Sequence, residues 1–127
     1  MNENEIGTII VDTAIYIHKK LGPGLLESVY EAVLLKLLTK KKLLVQRQVI
    51  IPIEFEGEIF DEGFRVDLFV HGKVIIEIKS VEKITGVHKK QLLTYLKLTN
   101  TKVGYLLNFG SELMKSGIFR VINGIVE

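Results

Sequence analysis

At 127 residues the chain can bury a substantial core but has little room for a second, so residues 1–127 read as one domain. Apolar residues make up 47% and charged residues 25%, ordinary values for a folded protein, and the absence of cysteine excludes disulfides, thiolate zinc sites, cysteine-held iron–sulfur clusters and a cysteine nucleophile. A net charge of +2 and a pI near 8.8 permit binding to a polyanion without requiring it.

The N-terminal MNENEIGTII is acidic, lacks a basic segment ahead of an apolar one, and no apolar run reaches membrane-spanning length; the expected location is cytoplasmic, with no membrane partner. From Glu5 to about Lys20, Ile6, Ile9, Ile10, Thr13, Ala14, Ile17 and Leu21 recur at three- and four-residue spacing, which predicts an amphipathic helix ended by Gly22-Pro23-Gly24. A second helix is predicted from about Leu26 to Lys40, with Val29, Val33, Leu34, Leu37 and Leu38 as its apolar stripe. The pattern then turns to β: VQRQVIIPIEF, a turn at Glu56-Gly57-Glu58, FRVDLFV and VIIEIKS, three strands whose short connections make them antiparallel. A helix from about Val87 to Leu98, a buried strand in KVGYLLNFG and an edge strand in GIFRVING complete the chain. The predicted fold is α/β, a mixed central sheet flanked by helices.

The stretch VIIEIKS holds the chemistry. Side chains alternate along a strand, so Ile75, Glu77 and Lys79 share a face. Charges on a buried strand indicate a structural ion pair or a working site. A three-residue hairpin loop at His71-Gly72-Lys73 places Asp67 opposite Glu77, on that same face, where two carboxylates repel unless a cation lies between them. Asp67, Glu77 and Lys79 thus form the set that metal-assisted phosphodiester hydrolysis uses: hard oxygen ligands for Mg²⁺ or Mn²⁺, and an ammonium to orient water or stabilise charge on phosphorus.

Asp67 followed by Glu77-Ile78-Lys79 resembles the core motif of the PD-(D/E)XK nuclease superfamily, with Val66 in the place of the proline. Gly24-Leu25-Leu26-Glu27-Ser28-Val29-Tyr30 resembles the signature of the GxxExxY group assigned to that superfamily, as do Leu21-Gly22-Pro23, Arg65-x-Asp67 and Leu107-Asn108-Phe109-Gly110. Gln91-Leu92-Leu93-Thr94-Tyr95 is similar to the QxxxY motif of RecB-type nucleases. Together these cover about Ile9 to Asn123. The resemblance implies a restriction-endonuclease-like core in the order α-β-β-β-α-β. It also implies a metal held by Glu27, Asp67 and Glu77, catalytic roles for these residues with Lys79 and Gln91, and a nucleic-acid substrate, DNA ahead of RNA.

Residues placed at the substrate are Tyr30, three positions after Glu27 and able to bond a carboxylate or phosphate; Arg65; His88, near the face of Gln91; Lys89 and Lys90; and Tyr95, one helical turn from Gln91. Other features have structural readings. Glu31 suits the positive end of its helix, and Lys40, Lys41 and Lys42 suit a helix C-terminus, with Lys36 and Arg47 nearby. His88 suits a helix cap, and Tyr16, Phe55, Phe69 and Phe109 suit the core. The competing functional reading is a noncatalytic nucleic-acid-binding or regulatory module on the nuclease fold. With no separate recognition domain, specificity falls to loops, to another protein or to a homodimer.

Overall fold

The computed structural model describes residues 1–126. Helix α1 spans Glu3–Leu21, two residues longer at its start than the apolar stripe predicts, because Asn2 and Glu5 form a reciprocal capping box. Its buried residues, Ile6, Ile10, Thr13, Ala14 and Ile17, follow the predicted face. Helix α2 (Glu27–Lys40) buries Tyr30, Leu34 and Leu38.

Five strands form one sheet in sequence order: β1 (Val45–Phe55), β2 (Glu58–Val70), β3 (Val74–Lys79), β4 (Val103–Asn108) and β5 (Ile118–Ile122). β1, β2 and β3 are successively antiparallel. Helix α3 (Gly86–Leu98) then crosses over to make β4 parallel to β3, and β5 returns antiparallel after a short 3₁₀ turn over Met114–Gly117. β3 and β4 are buried along nearly their whole length, which explains their continuous apolar runs.

Apolar side chains collect on both faces of the sheet. On one, α1 and α2 pack Ile10, Ile17, Tyr30, Leu34 and Leu38 against Leu68, Val70, Ile76, Ile78 and Leu107. On the other, α3 packs Leu92 and Leu96 against Val66, Ile75 and Leu106. No helix among the described residues is long and apolar enough to cross a membrane.

Three expectations need correction. β2 begins at Glu58 rather than Phe64: Glu56 and Gly57 adopt φ +51° and +80°, a tight hairpin turn, and the ladder runs from Phe55 opposite Glu58 through a bulge at Ile51/Ile53. Backbone pairing therefore carries the strand through the acidic stretch EIFDEG, whose composition gives no strand signal. Phe55, 63% exposed, lies at the tip of this hairpin, beyond the reach of either helix layer, and Tyr16, 55% exposed, lies on the outer face of α1 beneath Lys20. Phe109 is buried as expected, stacked on Tyr30 at 4.4 Å, and Phe69 packs at the edge of the α3 core.

Where the chain leaves β3 it is held by Asn108, at the end of β4. The buried amide accepts from the backbone N–H of Val81 and Gly110 and donates to the Val81 carbonyl and Ser111 hydroxyl. Gly110 lies against this segment so closely that a Cβ there would overlap the Val81 carbonyl and stand 2.7 Å from its nitrogen. Both neighbours are backbone and cannot rotate away. Gly110→Ala is expected to destabilise the fold by about 1–3 kcal/mol, measured by urea denaturation, with an unchanged slope.

Candidate active site

Strands β2 and β3 part at the position that the sequence singles out. Their ladder pairs Val70 with Val74, Phe69 with Ile75 and Leu68 with Ile76, the register that the three-residue loop requires, and then stops. Beyond it the two carboxylates replace backbone partners. The Asp67 N–H donates to Glu77 Oε2 at 3.1 Å, and the Ile78 N–H donates to Asp67 Oδ2 at 2.8 Å. β3 continues beside β4, with Glu77 opposite Leu106 and Lys79 opposite Asn108, while β2 leaves with β1. The carboxylates fill the resulting fork.

β1 and β2 both turn over at this level. Val45 packs into the α1/α2 core while Val49 and Ile51 pack into the α3 core; Val66 packs with α3 while Leu68 packs with α1 and α2. A regular strand would keep each set on one face. In β1 the change falls at Gln48, which has φ +52°, a conformation rare for a residue other than glycine. Its amide nitrogen donates to Glu31 Oε1 at 2.7 Å and to Asp67 Oδ1 at 3.3 Å. Arg47 Nε donates to the other Glu31 oxygen at 2.6 Å. Glu31 is buried; it serves as an ion-pair anchor that ties α2 to β1 and, through Gln48, to Asp67, rather than as a partner for the helix end.

The fork is electrostatically loaded. Burial, and then the facing Asp67, push the Glu77 carboxyl up to about 9; the Asp67 N–H and Lys79 oppose the rise without overcoming it. Without a cation, Glu77 thus carries a proton at neutral pH. The Tyr95 hydroxyl is also pushed up, first by burial and then by Glu77 and Asp67, which places Tyr95 of α3 within the field of the pair. Its ring stacks on Phe64 of β2 at 4.0 Å, fixing α3 over the site.

The other anticipated residues distribute as follows. Glu27, in the first turn of α2, reaches the end of β3, where its Oε2 accepts from the Ser80 N–H at 3.0 Å, and the Ser80 hydroxyl donates to the Leu25 carbonyl. The turn before α2 includes Gly24 at φ +101°, a conformation that glycine adopts without strain. No three carboxylate or imidazole groups among the described residues converge closely enough to hold a metal as a set. Gln91 is exposed on α3, one turn before Tyr95. Lys90 is exposed, and Lys89 lies over the Phe119 ring at 4.3 Å. His88 Nδ1 accepts from the Thr85 N–H, capping α3. Arg65 is exposed on β2, two residues before Asp67.

Tyr30 requires correction. Its side chain is fully buried, with its hydroxyl donating to the Gly22 carbonyl at 2.5 Å and accepting from the Leu25 N–H at 3.2 Å. It fastens the loop that carries Glu27 and does not meet substrate. Sequence reasoning also missed Gln48, Glu31, Ser80 and the role of Asn108. Gln48 carries no signal, since a lone glutamine on a polar strand edge does not announce a left-handed backbone. The family-like LNFG segment did mark Asn108.

Two carboxylates at the fork of a mixed sheet, with a lysine two residues along the strand and a helix packed over them, make up the candidate site. The family model for the PD-(D/E)XK nuclease superfamily matches residues 4–121, and the chain belongs to that superfamily, whose members are generally nucleases. The five-stranded mixed sheet with flanking helices is the restriction-endonuclease-like fold of that family. A search of the curated proteins finds no match to the chain.

Two outcomes follow from these contacts. Below about pH 4.5 Glu77 is protonated whether the chain is folded or not; between about 4.5 and 9 the folded protein retains a proton that the unfolded chain releases. Stability of the metal-free protein is therefore expected to fall as pH rises through that window, by up to about 1.4 kcal/mol per pH unit from this group. Glu77→Gln is expected to flatten the decline in thermal unfolding curves recorded from pH 5 to 9 in chelator. Tyr30→Phe removes two hydrogen bonds and is expected to cost about 1–3 kcal/mol in chemical denaturation, while leaving nucleic-acid affinity at wild-type level under native conditions.

Proposed function

We propose that residues 1–127 form one domain of the GxxExxY group and act as a divalent-metal-dependent nuclease, hydrolysing phosphodiester bonds of DNA ahead of RNA. The observation that carries this reading is the pairing of the Asp67 and Glu77 carboxylates in the β2–β3 fork with Lys79 beside them.

The donor set fits a hard cation. Two oxygen-donor side chains face one another where burial forces one of them to take up a proton, and a divalent ion satisfies the same demand with more charge. Asp67 and Glu77 would hold Mg²⁺ or Mn²⁺ directly, with Glu27 at the end of β3 as the remaining acidic group. When bound, such an ion polarises a phosphoryl oxygen and lowers the pKa of water.

The chain's own residues supply the rest. Lys79 continues the face of Glu77, and its ammonium orients the attacking water and offsets negative charge developing on phosphorus. Tyr95, stacked on Phe64, keeps α3 against the fork, and Gln91 on the same helix face positions the scissile strand. Lys89, Lys90 and Arg65 serve the flanking phosphates, while His88 orders the first turn of α3.

The test is cleavage of labelled single-stranded, duplex and branched DNA, and of RNA, in Mg²⁺ and in Mn²⁺. Lys79→Ala and Asp67→Asn are compared with wild type, at protein concentrations where all three bind. Cleavage by wild type that falls at least about 100-fold in both variants is the expected result. Binding with no cleavage under any metal would overturn the nuclease reading in favour of a noncatalytic nucleic-acid-binding module.

A further inference from the structure

The β1–β2 hairpin runs well past the rest of the sheet. β3 pairs only with Leu68–Val70, so the segment from Val49 to Val66 leaves as a two-stranded arm. Its charge is one-sided. Glu54, Glu56, Glu58, Asp61 and Glu62 fall within nine residues, and no lysine, arginine or histidine stands between Arg47 and Arg65. These five acids set against the net charge of +2 leave the remainder of the chain at +7. The same tip exposes apolar side chains: Phe55, Ile59 at 72% and Phe60. Ile53 stands opposite Phe60, and Phe55 opposite Glu58, so Phe55 and Phe60 lie along one face.

An acidic, apolar surface repels phosphate and suits protein. At the other end of the hairpin lies its electrostatic complement. Two residues before β1 stand Lys40, Lys41 and Lys42, where α2 ends, all exposed though Lys41 donates to the Thr13 hydroxyl, with Lys36 one turn earlier. Eleven residues of β1 separate these lysines from the tip, about 35 Å of extended chain. The hairpin is therefore a rod with an anionic tip and a cationic base.

We propose that this arm docks onto a second copy of the chain, two arms lying antiparallel about a two-fold axis so that each acidic tip meets the other's lysine base. A two-fold axis satisfies both ends at once, whereas a parallel arrangement sets tip against tip and base against base. The apolar face at Phe55 and Phe60 supplies the buried area and the charges fix direction. β1 is also an edge strand of the sheet, and it carries Pro52, a residue without a backbone N–H for strand addition.

The test is sedimentation velocity at low and high salt, and it does not depend on catalysis. Wild type is expected as a dimer at tens of micromolar, weakening at least about 10-fold between 50 and 500 mM NaCl. Variant A (Glu54→Lys, Glu56→Lys, Glu58→Lys) and variant B (Lys40→Glu, Lys42→Glu) are each expected as monomers, and their equimolar mixture as a heterodimer, since both tip–base contacts are then attractive. Phe55→Asp, a single change at an exposed residue of the apolar face, is likewise expected as a monomer and leaves the base unaltered. Monomeric wild type, the result if the arm serves a different basic protein, overturns the proposal. So does a dimer that survives both reversals, or failure of A and B, each with wild-type melting behaviour, to associate.

Discussion

The organising constraint in this protein is the fate of the backbone hydrogen bonds where β2 leaves β3. Two strands cannot part inside a folded protein without stranding N–H groups, and a buried N–H without an acceptor costs as much as a lost hydrogen bond. Here the acceptors are the Asp67 and Glu77 carboxylates, each bonded to the N–H of the opposite strand. One solution meets two needs: the sheet can fork, and two carboxylates come to face one another at the fork. The cost appears at Glu77, which burial and the facing Asp67 keep from ionising readily in that setting despite Lys79 two residues along the strand.

Much else is arranged to hold the fork open. Gln48 adopts a left-handed backbone and gives its amide to both Asp67 and Glu31. Arg47 completes the anchorage to α2. On the opposite face, the Phe64–Tyr95 stack fixes α3 against β2. Beyond β3, Glu27 takes the Ser80 N–H and Asn108 grips Val81 through both its N–H and its carbonyl. The end of β3 that presents Lys79 is thus restrained from α2 and from β4, as a site that must keep its geometry under load requires.

What the sequence revealed and what it hid divide along physical lines. The helical stripes, the hairpin loop at His71-Gly72-Lys73 and the apolar runs of β3 and β4 were legible because burial imposes periodicity. The meeting of Asp67 with Glu77 was legible because loop length sets register. The length of the β1–β2 arm was not, since an exposed hairpin needs no apolar alternation and its acidic residues resemble a loop. Gln48 and the Glu31–Arg47 pair stayed hidden because they depend on a local reversal of backbone hand, which leaves residue parity unchanged in the text of the chain. Tyr30 misled for a related reason: helical spacing puts it near Glu27 in angle, but spacing does not tell whether a hydroxyl turns toward solvent or toward the preceding glycine loop.

Asp67 belongs to the hydrogen bonding of the sheet whatever else it does, and that duty cannot be discarded. Replacing it with a methyl side chain would leave the Ile78 N–H without its acceptor, whereas an amide retains an oxygen there while giving up the charge. A descendant of this protein would therefore stay under selection for an acceptor at that position, whatever its activity. Its drift would run from aspartate toward asparagine, with alanine closed to it, so the architecture of the fork would outlast the charge.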